Sequence, residues 1–399
     1  MRRIITAIII ISAAVAAAGQ SRGVAETCFG SGLQWRVGAE MSAAYVPGTN
    51  VFLKGLNPEN KRINAALSGS VRAGFGFGEA SPAGLLYKGV YQGVGVGAVS
   101  FFSDGLLGTP VSAYVYQGAP IVHLSRRLWL GYEWRFGAAM GWHHYDKDYD
   151  DTNGAVSTSV TAMMGLGVKL HYALSSRWTL SLGVDGVHYS NGNTSWPNAG
   201  VNSIGATIGV AYALNQQTKA AQDAAMTDLA EEADRGRWLY DIIVYGAWRK
   251  RVVTVGRYVP EAELCPGRFG VVGLQFSPMR ALNRWVAVGP SLDLQWDESA
   301  GLEPYWIEDT YDENIKFERP PFCKQIKVGL SAHAELTMPI FSINAGVGYD
   351  FVNPKGDKRF YQSLALKTFV TDKLYLNVGY RLGDFKDPQN LMLGLGLRL

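Results

Sequence analysis

The stretch "WTLSLGVDGVHYS", Trp178–Ser190, alternates with period two: Trp178, Leu180, Leu182 and Val184 are apolar, while Thr179, Ser181, Gly183 and Asp185 between them are small or polar. Successive side chains of a strand point to opposite faces, so this segment reads as a strand with one oily face. The pattern recurs. Leu128, Leu130, Tyr132, Trp134 and Phe136 oppose Trp129, Gly131, Glu133, Arg135 and Gly137, and Leu374 to Leu382 alternates in the same way. The chain ends with Leu391, Leu393, Leu395, Leu397 and Leu399 against Gly394, Gly396 and Arg398. The strands run to about ten residues or more, the length a tilted membrane strand requires. Trp129, Trp142, Trp178 and Trp238 fall near strand ends, where interfacial girdles form. These features predict an all-β protein, a transmembrane antiparallel β-barrel whose apolar face meets lipid. Closing the sheet satisfies every backbone hydrogen bond without water.

The N-terminus agrees with export. Arg2 and Arg3 precede an apolar run, Ile4 to Ala18, ending in small residues, the pattern of a cleaved N-terminal signal peptide over 1–18. Glycine is 47 of 399 residues, aromatics are 12% and charged residues only 18%, and no later apolar run is long enough for a membrane helix. A net charge of +3 gives no reason to expect a nucleic-acid partner, and three cysteines make no disulfide framework. Cys265 and Cys323 are able to pair in an oxidising compartment.

Connections alternate between tight turns (Ser125–Arg127, Ser175–Arg177, Met338–Ile340, Thr371–Lys373) and long polar loops (Pro47–Arg62, His143–Val156, Asn191–Gly200, Glu298–Phe322). Barrels of this kind have short periplasmic turns and long external loops. About sixteen strands result, within a range of about twelve to sixteen. They divide into 33–214 and 238–399, after a periplasmic segment at 19–32 and separated by an Ala-rich acidic linker, 215–237, read as helical. One wide barrel and two smaller ones both fit this pattern.

His188 and Ser190 share the even, oily series of their strand, near its external end. Asn202 occupies the same face at the same end of the returning strand, Val201–Leu214. Side chains at i and i+2 lie about 7 Å apart, within reach of a hydroxyl–imidazole pair. An imidazole can take the hydroxyl proton and return it to a leaving group. Asn202 is placed to orient the ring, and Asn191, with the amides after Ser190, to donate to an oxyanion. At head-group depth, the ester met by such a site is a lipid.

The segment "HYSNGN…PNAGVN" resembles the His-x-Ser-Asn signature of the outer-membrane lipid A 3-O-deacylases, and "YQGVGVGAVSFFSD…GTPVSAYVYQGAP" resembles their strand pattern. The resemblance covers about Tyr87 to Leu214; the remainder is similar to the extended, Bacteroidetes-type acyloxyacyl hydrolases. It implies a barrel in the bacterial outer membrane that acts as a serine carboxylic ester hydrolase on lipid A of lipopolysaccharide. His188 and Ser190 are then catalytic, Asn191 serves the oxyanion, and no cofactor or metal is needed. The family's third catalytic residue is a carboxylate, whereas the matching position here is Asn202, which implies slower catalysis. The alternative is a non-enzymatic porin-like or lipopolysaccharide-binding barrel.

Other motifs carry less. Asp146, Asp148 and Asp150 have calcium-loop spacing, but Asp151 stands where the loop needs glycine and Ser157 where it needs glutamate. His143–Gly154 therefore reads as a solvated external loop. Gly93–Gly97 alternates within a strand and leaves room for lumenal neighbours. Glu133, Arg135, Lys169, His171 and Arg381 read as paired lumenal charges.

Overall fold

Alternating sequences of this kind form antiparallel ladders that close on themselves twice. The structure is a computed structural model that describes residues 33–77, 84, 87, 89–146, 151–215, 236–255, 261–305, 316–338, 340–385 and 387–399. The expected signal peptide, the segment 19–32 and most of the expected linker helix lie outside the described residues.

In the first unit, strands β1 (Leu33–Tyr45), β2 (Ala65–Phe77), β3 (Tyr91–Ser100), β4 (Gly108–His123), β5 (Leu128–Trp142), β6 (Val160–Ala173), β7 (Trp178–Ser190) and β8 (Val201–Ala213) form a meander. β8 pairs antiparallel with β1 and closes the barrel. The second unit is built from β9 (Trp238–Arg249), β12 (Phe269–Ala281), β13 (Val286–Asp297), β16 (Ile326–Thr337), β17 (Phe341–Val352), β18 (Phe360–Phe369), β19 (Leu374–Gly383) and β20 (Asp387–Arg398). β20 closes on β9. Two short hairpins are inserted in its loops, β10 (Val252–Val255) with β11 (Glu261–Leu264), and β14 (Glu303–Tyr305) with β15 (Lys316–Glu318). The sixteen barrel strands among the described residues thus make two barrels of eight, not one wide barrel. No helix among the described residues is long and apolar enough to cross a membrane.

An eight-stranded barrel is just wide enough for side chains to fill it, and both lumens are filled with paired charge. In the first, Lys169 Nζ lies 2.5 Å from Glu40 and 2.6 Å from Glu133, Arg72 bridges the same two carboxylates, and Arg135 pairs with Glu40 and Asp185. In the second, Lys367 and Arg398 each bridge Asp241 and Glu335, and Arg381 pairs with Asp350. Glycines make the space: a Cβ at Gly95 would lie 2.4 Å from the Tyr114 ring. Neither lumen resembles a water-filled pore.

The oily series faces outward. Leu182 is 61% exposed and Ile208 likewise 61%, which only a lipid surround makes favourable. Trp178 and Trp238 sit on this surface at strand ends, but the other two expected girdle residues do not. Trp129 belongs to the inward series and stacks on His171 in the lumen. Trp142 follows Gly141, whose φ of +96° turns the strand end inward. There its indole donates to Thr161 at 3.0 Å. With Phe52, Leu53, Ile63, Phe101, Leu107 and Val156 it forms an apolar cap on the long-loop end of the first barrel. Cys265 is buried, Cys323 is exposed, and no disulfide joins them.

In the second unit, Asp357, in the β17–β18 loop, accepts from Lys327 and Arg251, each at 2.8 Å. Burial pushes its carboxyl up, but these two cations and their hydrogen bonds outweigh burial and bring it down to about 2. Its folded value lies below the unfolded one, so the contribution is present above about pH 4 and lost as pH falls through about 2, roughly 2 kcal/mol in all. Asp357→Asn should flatten the acid limb of the unfolding profile between those values; an identical limb in wild type and variant would refute the linkage.

Candidate active site

The β7–β8 ladder sets His188 directly opposite Asn202, with Ser190 two residues further along the same face. His188 Nδ1–H donates to Asn202 Oδ1 at 2.7 Å. An amide oxygen only accepts, so this bond fixes the proton on Nδ1 and leaves Nε2 with a free lone pair. Tyr189, between the two site residues, points the other way into the apolar cap. Its ring lies 5.2 Å from that of Trp142, which pins the strand end that carries the site.

Gly200 gives the imidazole its room. It adopts φ +72°, and a Cβ there would come within 2.9 Å of His188 Cε1 and of the Tyr189 carbonyl. Any other side chain would push the ring off Asn202.

Sequence reasoning missed Asn198. Its side-chain Nδ2–H donates to Ser190 Oγ at 2.9 Å, while its Oδ1 accepts from the Asn191 main-chain N–H at 3.1 Å. Asn191 itself is 5% exposed, and its side chain turns away from lipid to donate to Ser157 Oγ at 3.0 Å. The amide set against the serine hydroxyl is therefore that of Asn198. Strand parity had no means of finding it, because Asn198 lies in a loop, where asparagine is an ordinary turn residue. Its neighbour Pro197 was the sole local hint of a fixed conformation.

The loop before β6 is not simply solvated, as its polar sequence suggested. Asn153 is fully buried: it donates to the His143 carbonyl at 2.9 Å and accepts from Ala155 and Val156 N–H, each at 3.1 Å. The turn so fixed offers the carbonyls of Gly154 and Ala155 to Ala199 and Gly200 N–H, at 3.2 and 3.0 Å. A second loop thus braces the one that holds Asn198. Among the described residues no His, Cys, Asp or Glu cluster suits a metal ion; Asp148 and Asp150 lie outside them.

A polarised hydroxyl, an oriented imidazole and an amide donor at one lipid-facing edge are the parts of an acyl-transfer site. Two family models match the chain. Residues 90–211, which contain His188, Ser190, Asn198 and Asn202, match "Lipid A 3-O-deacylase (PagL)". Residues 238–399, the whole second barrel, match "Acyloxyacyl hydrolase, C-terminal domain". No curated protein matches. Among solved structures, Neisserial surface protein A is similar at 14% identity, over 46% of this chain and 99% of its own, with a TM-score of 0.29. A de novo designed transmembrane β-barrel shares 14% identity over 45% of this chain and 95% of its own (TM-score 0.23). Omp33 of Acinetobacter baumannii shares 8% over 92% and 99% (TM-score 0.16). At those scores it is the family models that decide. Between them they cover β3 to β8 of the first barrel and all of the second, and the chain belongs to the lipid A 3-O-deacylase family: it is an outer-membrane hydrolase acting on lipid A, with an acyloxyacyl hydrolase C-terminal domain as its second barrel.

Proposed function

We propose that the chain cleaves the 3-O-linked acyl ester of lipid A with Ser190 as nucleophile and His188 as general base. The observation that carries this reading is the 2.7 Å bond from His188 Nδ1 to Asn202 Oδ1, which leaves Nε2 as the nitrogen able to take a proton, with Ser190 two residues away on the same strand face. Ser190 Oγ attacks the ester carbon as His188 Nε2 takes its proton. The carbonyl oxygen becomes an oxyanion, met by the Asn198 amide, which lies beside Oγ in the resting site. Collapse of the intermediate expels the sugar hydroxylate, protonated by the imidazolium. Water then enters by the same route, and the fatty acid leaves with Ser190 restored.

Asn191 serves the oxyanion through its neighbour: its main-chain N–H holds Asn198 Oδ1, so that Nδ2 points at the reacting atoms. Asn202 fixes the tautomer but supplies no negative charge to the imidazolium. The base is therefore weaker than one backed by a carboxylate, and turnover correspondingly slower.

Asn198→Ala tests the assignment of the donor. Losing one oxyanion donor costs about 100- to 1,000-fold in kcat, and KM for lipid A in mixed micelles should hardly move. A kcat within a factor of two of wild type, with the barrel folded, would remove Asn198 from the mechanism.

A further inference from the structure

The lipid-facing wall of the first barrel carries an apolar furrow of about 530 Å3, far from Ser190. It crosses five adjacent strands in the order β7, β8, β1, β2, β3. Val37, Val71, Ala73 and Val96 form its floor, and Trp178 with Tyr212 closes one end. The floor follows two neighbouring cross-strand rows: Tyr212, Val37, Ala73 and Val94 stand opposite one another in turn, and Val71 is opposite Val96 beside them. Four strand spacings give a length of about 19 Å, that of an extended long acyl chain.

The furrow runs diagonally through the membrane. Trp178 is the first residue of β7 and Tyr212 the last but one of β8, so that end lies at the periplasmic rim. Val96 is in the middle of β3, so the other end lies deep among hydrocarbon. A cation stands at the foot. Arg177 Nη1–H donates to Tyr212 Oη at 2.8 Å, and the guanidinium lies 5.9 Å from the Tyr212 ring centre. That fixes its position and leaves other N–H donors for an anion. The turn that carries it, 174–177, has no carboxylate. The Arg127 carbonyl accepts from Ala173 N–H, which brings the exposed Arg126 and Arg127 of the next turn alongside.

Any barrel is surrounded by lipid tails. A concave trough of acyl-chain length, with a tethered guanidinium at its head-group end, is more than a generic surface. We propose that the furrow is a specific site for a diacyl phospholipid of the periplasmic leaflet, with its phosphodiester on Arg177 and one tail along the row from Tyr212 to Val94. The charge of the turn matches the phosphate. The proposal is independent of the chemistry assigned to Ser190.

The test is native mass spectrometry of the full-length protein in detergent, titrated with phosphatidylglycerol. Wild type should show one saturable adduct. Ala73→Trp fills the trough from its lipid-facing side and should abolish that adduct. Arg177→Gln should weaken it about tenfold, the loss of one charge-assisted hydrogen bond, and diacylglycerol, which lacks the phosphate, should bind wild type more weakly by a similar factor. Leu330→Trp, on the lipid face of the second barrel, should leave it unchanged. Equal adducts in wild type, Ala73→Trp and Arg177→Gln would overturn the proposal in favour of non-specific annular lipid. Diacylglycerol bound as tightly as phosphatidylglycerol would overturn the phosphate contact.

Discussion

Replacing Ser190 by alanine should lower the rate of lipid A deacylation by about 10,000-fold or more, because it removes the proposed nucleophile and with it the covalent route. Lipid A from cells making wild-type protein should lack one ester-linked acyl mass, and lipid A from cells making equal amounts of Ser190→Ala should retain it. The substitution takes away one hydroxyl from a half-exposed strand end and leaves Tyr189 anchored in the cap, so the barrel should fold as before. Spectra that match in the two strains, with both proteins folded and abundant, would contradict Ser190 as nucleophile. Ser190→Cys adds a second check, since a thiol in that place can still act as a nucleophile and should keep part of the activity.

Lys169→Met should cause the largest loss of stability. Lys169 is 1% exposed and holds Glu40 and Glu133 together at 2.5 and 2.6 Å. Methionine fills nearly the same volume without charge, leaving two buried carboxylates to share Arg72 and Arg135. Breaking a buried ionic network from one side costs about 3–5 kcal/mol. The midpoint of urea unfolding in detergent should fall accordingly, read from the shift in barrel mobility on gels. Adding Glu133→Gln should recover part of the loss, because it removes one of the stranded charges. A change in stability below about 0.5 kcal/mol would show that water in the lumen already solvates these groups.

Most of the fold was legible because membrane strands must alternate, and alternation is written directly into the chain. The sequence Trp178–Val184 states which face is oily, and Leu182 and Ile208 are exposed accordingly. The number of barrels was not legible. Closure depends on which strand pairs with β1, a non-local choice that leaves no periodic trace. Trp142 lies at a strand end, as expected of a girdle residue, but the positive φ of Gly141 turns that end inward. The site divides along the same line. His188, Ser190 and Asn202 sit in regular strands and could be placed by counting. Asn198 and Asn153 act from loops, where position is set by hydrogen bonds to distant backbone rather than by period.

The register that sets His188 against Asn202 has a consequence for how the protein is made. Slipping the β7–β8 ladder by a single residue would send the two side chains to opposite faces. The brace from Gly154 and Ala155 adds a third segment that must arrive before Asn198 is held. On the proposed assignment, an unpaired chain therefore carries its serine and histidine without the register that brings Asn202 and Asn198 to them, and closing the β7–β8 ladder is the step that assembles the site.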